Sequence, residues 1–215
     1  MEILSAITLV VAALITALGC FAESTRRTII LLSVQAIAIG SVTLVRCLID
    51  LIIGLNVEAL IHFFIAFAEW FSAAVVVPLI LYWGVVKTEN VVDAPIVGAR
   101  RLAILVISTA ILYMFLWIFQ PQILQEEIAT LSFCMLMFSF SVFLMVTRRD
   151  SLKILTGLNM AENSLYPLLA EIPIMLVPFI LTLMIFVTAI GTYIIVEAYR
   201  DHGTTLVDRW RWLGN

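Results

Sequence analysis

Histidine is nearly missing from this sequence. Of 215 residues only His62 and His202 are histidines, and only His62 falls near an apolar stretch. A haem held between two axial histidines inside a membrane is therefore excluded. No lysine is expected inside any apolar span, which excludes a retinal Schiff base. Cysteine is scarce too: Cys20, Cys47 and Cys134 all sit in apolar stretches, without CxxC or other ligand spacing. They read as small buried side chains, not as a disulfide framework. No phosphate-binding glycine loop, metal-ligand cluster or nucleophile–base pair is visible. Glycine/serine-rich linkers, charge runs and low-complexity tracts are missing as well. The chain is expected to carry no cofactor, no metal and no catalytic site of its own, and nothing in it points to nucleic acid.

Charge is the most telling shortage. Only 13% of the residues are charged while 63% are hydrophobic, with mean hydropathy +1.14. A soluble domain runs about half apolar and about a quarter charged. The composition fits an integral membrane protein, mostly inside lipid. The N-terminus has Glu2 and no basic segment before its apolar run, so it reads as a retained span and not a cleaved signal. Cys20 after Gly19 hints at a lipoprotein site, but the missing basic start argues against one.

Seven stretches are long enough to cross a hydrocarbon core: 3–22, 28–54, 59–86, 102–119, 128–146, 152–170 and 172–199. Strand alternation is absent, which disfavours a membrane barrel. The expected fold is all-α, a polytopic bundle of seven transmembrane helices forming a single domain over 1–215. Arg26 and Arg27 follow the first span. Lys87, Arg100 and Arg101 follow the third, Arg148, Arg149 and Lys153 the fifth, and Arg200, Arg209 and Arg211 the seventh. Eleven of the twelve basic residues thus fall on one side. Glu2, Glu58, Glu126, Glu127 and Glu171 fall on the other. The positive-inside rule then places the N-terminus outside and the C-terminus in the cytoplasm, in a cell (inner) membrane.

"STRRTIILLSVQAIAIG" and "TRRDSLKILTGLNMAEN" enter the second and sixth spans alike. This is a faint parallel repeat of 1–86 and 128–199, with 102–119 as the linking span, and it puts Gln35 near the depth of Asn159. The tail "YRDHGTTLVDRWRWLGN", with Trp210 and Trp212, is expected to lie at the interface or, preferably, on a partner.

The polar residues inside the spans carry the functional signal. Glu162 lies ten residues past Leu152, about 15 Å deep at helical rise. Asn159, Glu162, Asn163 and Tyr166 share one helix face. An ionised carboxylate there costs about 2.5–3.5 kcal/mol on insertion scales. The amides are expected to hydrogen-bond it in either protonation state, as a reversible proton site needs. The competing reading is that this face joins helices by hydrogen bonds. Glu69, ten residues past Ala59, reaches a similar depth from the other side, with Ala66, Ser72 and Ala73 on its face. His62 stands two turns from Glu69 towards the outer end, as an exit for protons or a plain interfacial histidine. Arg46 and Asp50, four residues apart, are expected to form a structural ion pair.

The stretch "RRDSLKILTGLNMAENSLYPLL" resembles the glutamate-bearing segment of the HyfE-like E component of energy-converting hydrogenases. That family is related to the small NuoK and MrpC subunits of complex I and of cation/proton antiporters. The resemblance extends to seven spans, a "VPLI" run (Val77 to Ile80) ending the third, and "HGT" (His202 to Thr204) in the tail. Gly157, Glu162 and Asn163 match the family segment. NuoK-type subunits usually place a glutamate where this chain has Asn159, with the carboxylate here one turn later. Relatives can carry a lysine where this chain has Ala73. The resemblance implies a non-catalytic membrane subunit of a complex I-like hydrogenase or oxidoreductase. Its partners would be antiporter-like subunits, a hydrogenase module and membrane lipid. Electron transfer elsewhere in the assembly would drive proton or sodium translocation through Glu162 and Glu69. The alternatives are a stand-alone proton-coupled transporter and a structural scaffold subunit.

Overall fold

The computed structural model describes residues 2–119, 125–171 and 176–210. Glu2, Glu126, Glu127, Glu171, Arg211 and Trp212, named above, lie outside the residues whose side chains are described. The helices are α1 (Glu2–Phe21), α2 (Thr25–Ile53), α3 (Asn56–Glu69), α4 (Val77–Lys87), α5 (Ala99–Ile118), α6 (Gln125–Thr147), α7 (Ser151–Leu165) and α8 (Leu176–His202). A π-helical stretch, Trp70–Val76, joins α3 to α4 into one continuous rod, and α7 runs on as a 3-10 turn, Tyr166–Glu171. Seven helical rods result, one for each expected span. Five of them are long and apolar enough to cross a membrane: Thr25–Ile53, Asn56–Lys87, Ala99–Leu116, Thr130–Thr147 and Leu176–His202. No strand occurs among the described residues; the extended backbone there makes only isolated bridges.

The rods pack around α2 and α7. Helix α2 touches α1, α3, α4 and α7, while α7 touches α6, α2 and α8. Most of α7 is buried, polar and apolar residues alike. Helix α5 is the outlier, packed chiefly on α6 with most of its apolar side chains exposed. In lipid such exposure carries no penalty, so an apolar surface is what a bundle of this kind shows.

Local chemistry explains the breaks. Gly54 ends α2 at φ +88°, where a side chain would be strained, and the next N–H, of Leu55, bonds back to the Asp50 carbonyl at 2.8 Å. The π-helical stretch runs into Pro78. Proline has no N–H to give the preceding turn, and the chain widens there. Asp150 caps α7, its carboxylate accepting from the Leu152 N–H at 3.3 Å.

The loops after α1, α4, α6 and α8 meet at one end of the bundle. Ser24 bridges to Val92, and Asp150 to Leu206. The described part of the tail packs on its own chain. Thr205 is buried and its carbonyl accepts from Ser151 N–H at 3.1 Å, while Val207 N–H bonds to the Arg149 carbonyl at 3.0 Å. The backbone of 203–207 has donors and acceptors to satisfy, and the open α6–α7 junction supplies them.

Two charges in these loops are not free either. Arg148 is fully buried, donating to the carbonyls of Asp93 at 2.5 Å and Cys20 at 2.6 Å. Lys153 lies in the first turn of α7, fully buried, and donates to the Asp93 carboxylate and the Glu23 carbonyl. Lys153 thus stands at the loop end of the bundle with its stem packed inside. Its ammonium is tolerated because Asp93 neutralises it at the bundle end.

Candidate intramembrane relay site

The widened turn at Trp70–Val76 begins just after Glu69. Trp70 folds against α2, its indole N–H donating to the Ile37 carbonyl at 3.1 Å. Gly40 makes room: a Cβ there would lie 2.5 Å from the indole ring. Close approach of α2 brings Thr43 to Glu69, and the Thr43 hydroxyl donates to the carboxylate at 3.1 Å. Glu69 is buried, with Ala66, Ser72 and Ala73 buried beside it. The small residues of that face thus admit a close helix.

Gly157 plays the matching part on α7. A Cβ there would meet Met145 Cγ at 2.8 Å and the Ser141 carbonyl at 3.3 Å, so α6 and α7 need a glycine at this crossing. Two residues further on, Asn159 is buried; its amide donates to the Leu155 carbonyl at 2.8 Å and accepts from the Thr188 hydroxyl at 2.8 Å. Asn163 is buried with neither side-chain polar atom partnered. Gln35 of α2 donates to Thr16 at 2.8 Å and to the Met160 carbonyl at 3.3 Å. It therefore meets α7 one residue from Asn159.

Glu162 is half-buried on this face and, among the described residues, has no hydrogen-bond or ion-pair partner. The expectation that Asn159 and Asn163 hold its carboxylate is corrected. Asn159 is instead engaged by Thr188 across the α7–α8 contact and by the Leu155 carbonyl of its own helix. Tyr166 is buried, its hydroxyl donating to Met184 Sδ at 2.8 Å. Tyr166 stands four residues after Glu162 and so shares its side of the helix.

Towards the other end, Asp50 pairs with His62, Oδ2 to Nδ1 at 2.6 Å. Asp50 takes this partner in place of Arg46, which is exposed and lies within electrostatic range of Glu69. The Arg46–Asp50 pair expected from i,i+4 spacing is therefore replaced by an interhelical one. Helix α3 folds back beside α2 after Gly54, and that turn places His62 opposite Asp50.

At the loop end, burial acts on two charges outside the spans. It pushes Asp150 above the usual carboxylate range, against the hydrogen bond from Thr25, the Lys153 charge and the Leu152 N–H. It pulls Arg148 down, against the nearby Asp93 charge. Thr25 donates to Asp150 at 2.6 Å.

Reading the sequence for mid-span acids found Glu69, Glu162, Asn159, Asn163 and His62. It missed Thr43, Thr188, Thr192, Lys153, Asp93 and Asp150. The i, i+4, i+8 spacing of Met184, Thr188 and Thr192 on α8 was the available signal.

Geometry and composition define a multi-pass membrane bundle whose buried polar groups between the helices are chiefly carboxylates, amides and hydroxyls, with the buried ammonium and guanidinium of Lys153 and Arg148 at the loop end. Residues 129–214 match the family model of NADH-ubiquinone/plastoquinone oxidoreductase chain 4L. The match covers α6 to α8 and the tail, less than half of the chain, and supports similarity to the small membrane subunits of complex I. It includes Gly157, Glu162 and Asn163 and leaves out Glu69. No curated protein and no solved structure matches the chain.

Proposed function

We propose that this chain is a non-catalytic membrane subunit of a complex I-like oxidoreductase, with the loop end of the bundle facing the cytoplasm. Glu162 and Glu69 serve as exchange sites for protons or sodium ions. The observation that carries this reading is the pair of carboxylates set within apolar helices, Glu69 buried and hydrogen-bonded by Thr43 and Glu162 half-buried without a partner among the described residues. A carboxylate at that depth is costly unless function retains it.

In this mechanism Glu162 takes up a cation and passes it towards Glu69. The Thr43 hydroxyl steadies Glu69 when it is charged. Asp50 and His62 lie further along, at the opposite end from the loop cluster, and serve as the exit. Energy-converting hydrogenases of the HyfE-like kind are the favoured assembly, with antiporter-like subunits flanking this one and redox centres held by other chains. A stand-alone transporter would need a substrate cavity near the carboxylates. The cleft between α5 and α6, lined by Tyr113, Met114, Ser132, Phe133 and Leu136, contains neither of them.

Affinity purification and the double variant Glu162→Gln, Glu69→Gln test the proposal. The wild-type chain is expected to co-purify with oxidoreductase and antiporter-like subunits. The double variant is expected to assemble with them and to lose ion pumping. Purification as a stable solitary protein favours the transporter, and normal pumping by the assembled double variant leaves only a scaffold.

A further inference from the structure

Threonine in a helix usually satisfies its hydroxyl on the carbonyl four residues back. Thr16, Thr28, Thr88, Thr147, Thr156 and Thr182 all do so here. Two threonines of α8 do not. Thr188 donates across to Asn159, and Thr192 is fully buried with its hydroxyl unpartnered. They stand one turn apart with Met184, partner of Tyr166, one turn beyond. The three side chains line the face of α8 that meets α7.

Thr192 lies beside Gly84 and Leu152, close to the start of α7 and its buried Lys153 and Asp150. At the other end of the stripe is Tyr166, bonded to Met184 and four residues after Glu162 on the same side of its helix. Asn163 Nδ2 and Oδ1 and Gln35 Oε1 are also buried without partners. Four orphaned polar atoms on three neighbouring helices are too many to be left dry, because a buried polar group without a partner is destabilising. Buried waters commonly supply such bonds, roughly three each.

We propose that the α7–α8–α2 interior holds a file of ordered waters between the buried charge cluster at the loop end and Glu162. Thr192 and Thr188 are its relay hydroxyls, and Asn163 and Gln35 anchor its waters. Loading of Glu162 then occurs from the loop end. Each hydroxyl or water accepts a proton on one side and releases another on the far side, so the file is unchanged except for its orientation. The net step moves one proton from bulk water to the Glu162 carboxylate, and onward transfer from Glu162 resets the file. The amides hold waters and carry no proton themselves. This inference rests on the reading of Glu162 as an exchange site, with the proton as the ion.

The test is made in the intact complex in sealed vesicles, with proton uptake followed by a pH-sensitive dye per turnover. Thr188→Val with Thr192→Val keeps shape and removes both hydroxyls; Thr188→Ser with Thr192→Ser keeps the hydroxyls and loses methyl packing. Pumping is expected to fall severalfold in the valine variant and to stay near normal in the serine variant. A packing role predicts the reverse order, and that result overturns the proposal. Normal pumping in the valine variant beside a dead Glu162→Gln overturns the file and leaves the role of Glu162 standing. Normal pumping in Glu162→Gln removes both.

Discussion

The two polar regions of this bundle are built to opposite rules. At the loop end, Arg148 and Lys153 are buried against the half-buried Asp93, with Asp150 held by Thr25 beside them and backbone carbonyls filling most remaining positions. In the interior, among the described residues, Glu162 and Asn163 have no partners, Gln35 has one of its two polar atoms free, and Glu69 has a single hydroxyl. A densely paired network of charges fixes a geometry, because every member loses if one leaves. An under-satisfied one keeps its groups free to change state. The loop end therefore reads as the clamp that positions α7, and the interior as the part that works.

Breaking the clamp is the harsher way to test that contrast. Lys153→Met leaves the Asp93 carboxylate without its closest cation, and removing one member of a buried pair typically costs about 3–5 kcal/mol. A large fall in thermal midpoint of the purified complex, or failure to accumulate, is expected. Next comes Gly40→Ala. Its methyl group would strike the Trp70 indole, and overpacking of this kind costs about 1–3 kcal/mol. Because Trp70 adjoins Glu69, pumping should fall further than stability, which a parallel measurement of both would show.

Asp150→Ala removes a helix cap worth about 1 kcal/mol, while Asp150→Asn keeps the cap. Asp150 also gives the clamp a pH dependence. Its carboxyl is raised in the folded state, so the folded chain binds more protons than the unfolded one between the ordinary and raised values. Its contribution is therefore favourable below the ordinary carboxylate value and declines as pH rises through that window. Asp150→Asn should flatten this part of the stability profile, measured by thermal unfolding from acid to neutral pH. The smallest effect on stability is expected for His62→Gln, a half-exposed residue at the far end. It should leave assembly intact and slow pumping if the Asp50–His62 pair is an exit.

The sequence made the architecture legible because lipid imposes a simple demand: long apolar runs, and charges sorted to the ends. All seven expected spans correspond to helical rods. Glu69, Glu162 and the two asparagines were visible for the same reason, as expensive residues in apolar company. Their partners were not. Asn159 turns to Thr188, and Asp50 to His62, through helix rotations and crossings that no single helix encodes. Lys153 looked like one more basic residue beside Arg148 and Arg149. Only the return of the loop carrying Asp93 shows that it is buried. The widened turn after Glu69 was also hidden, although Pro78 stands at its end.

The most direct measurement is Glu162→Gln in the intact, vesicle-reconstituted complex, with electron-transfer turnover and ion pumping followed together. Glutamine keeps the volume and removes the exchangeable carboxyl. The account predicts an assembled complex whose pumping per turnover collapses. Normal pumping at normal turnover would show that the carboxylate in "LNMAENSLYP" only joins helices, and would contradict it.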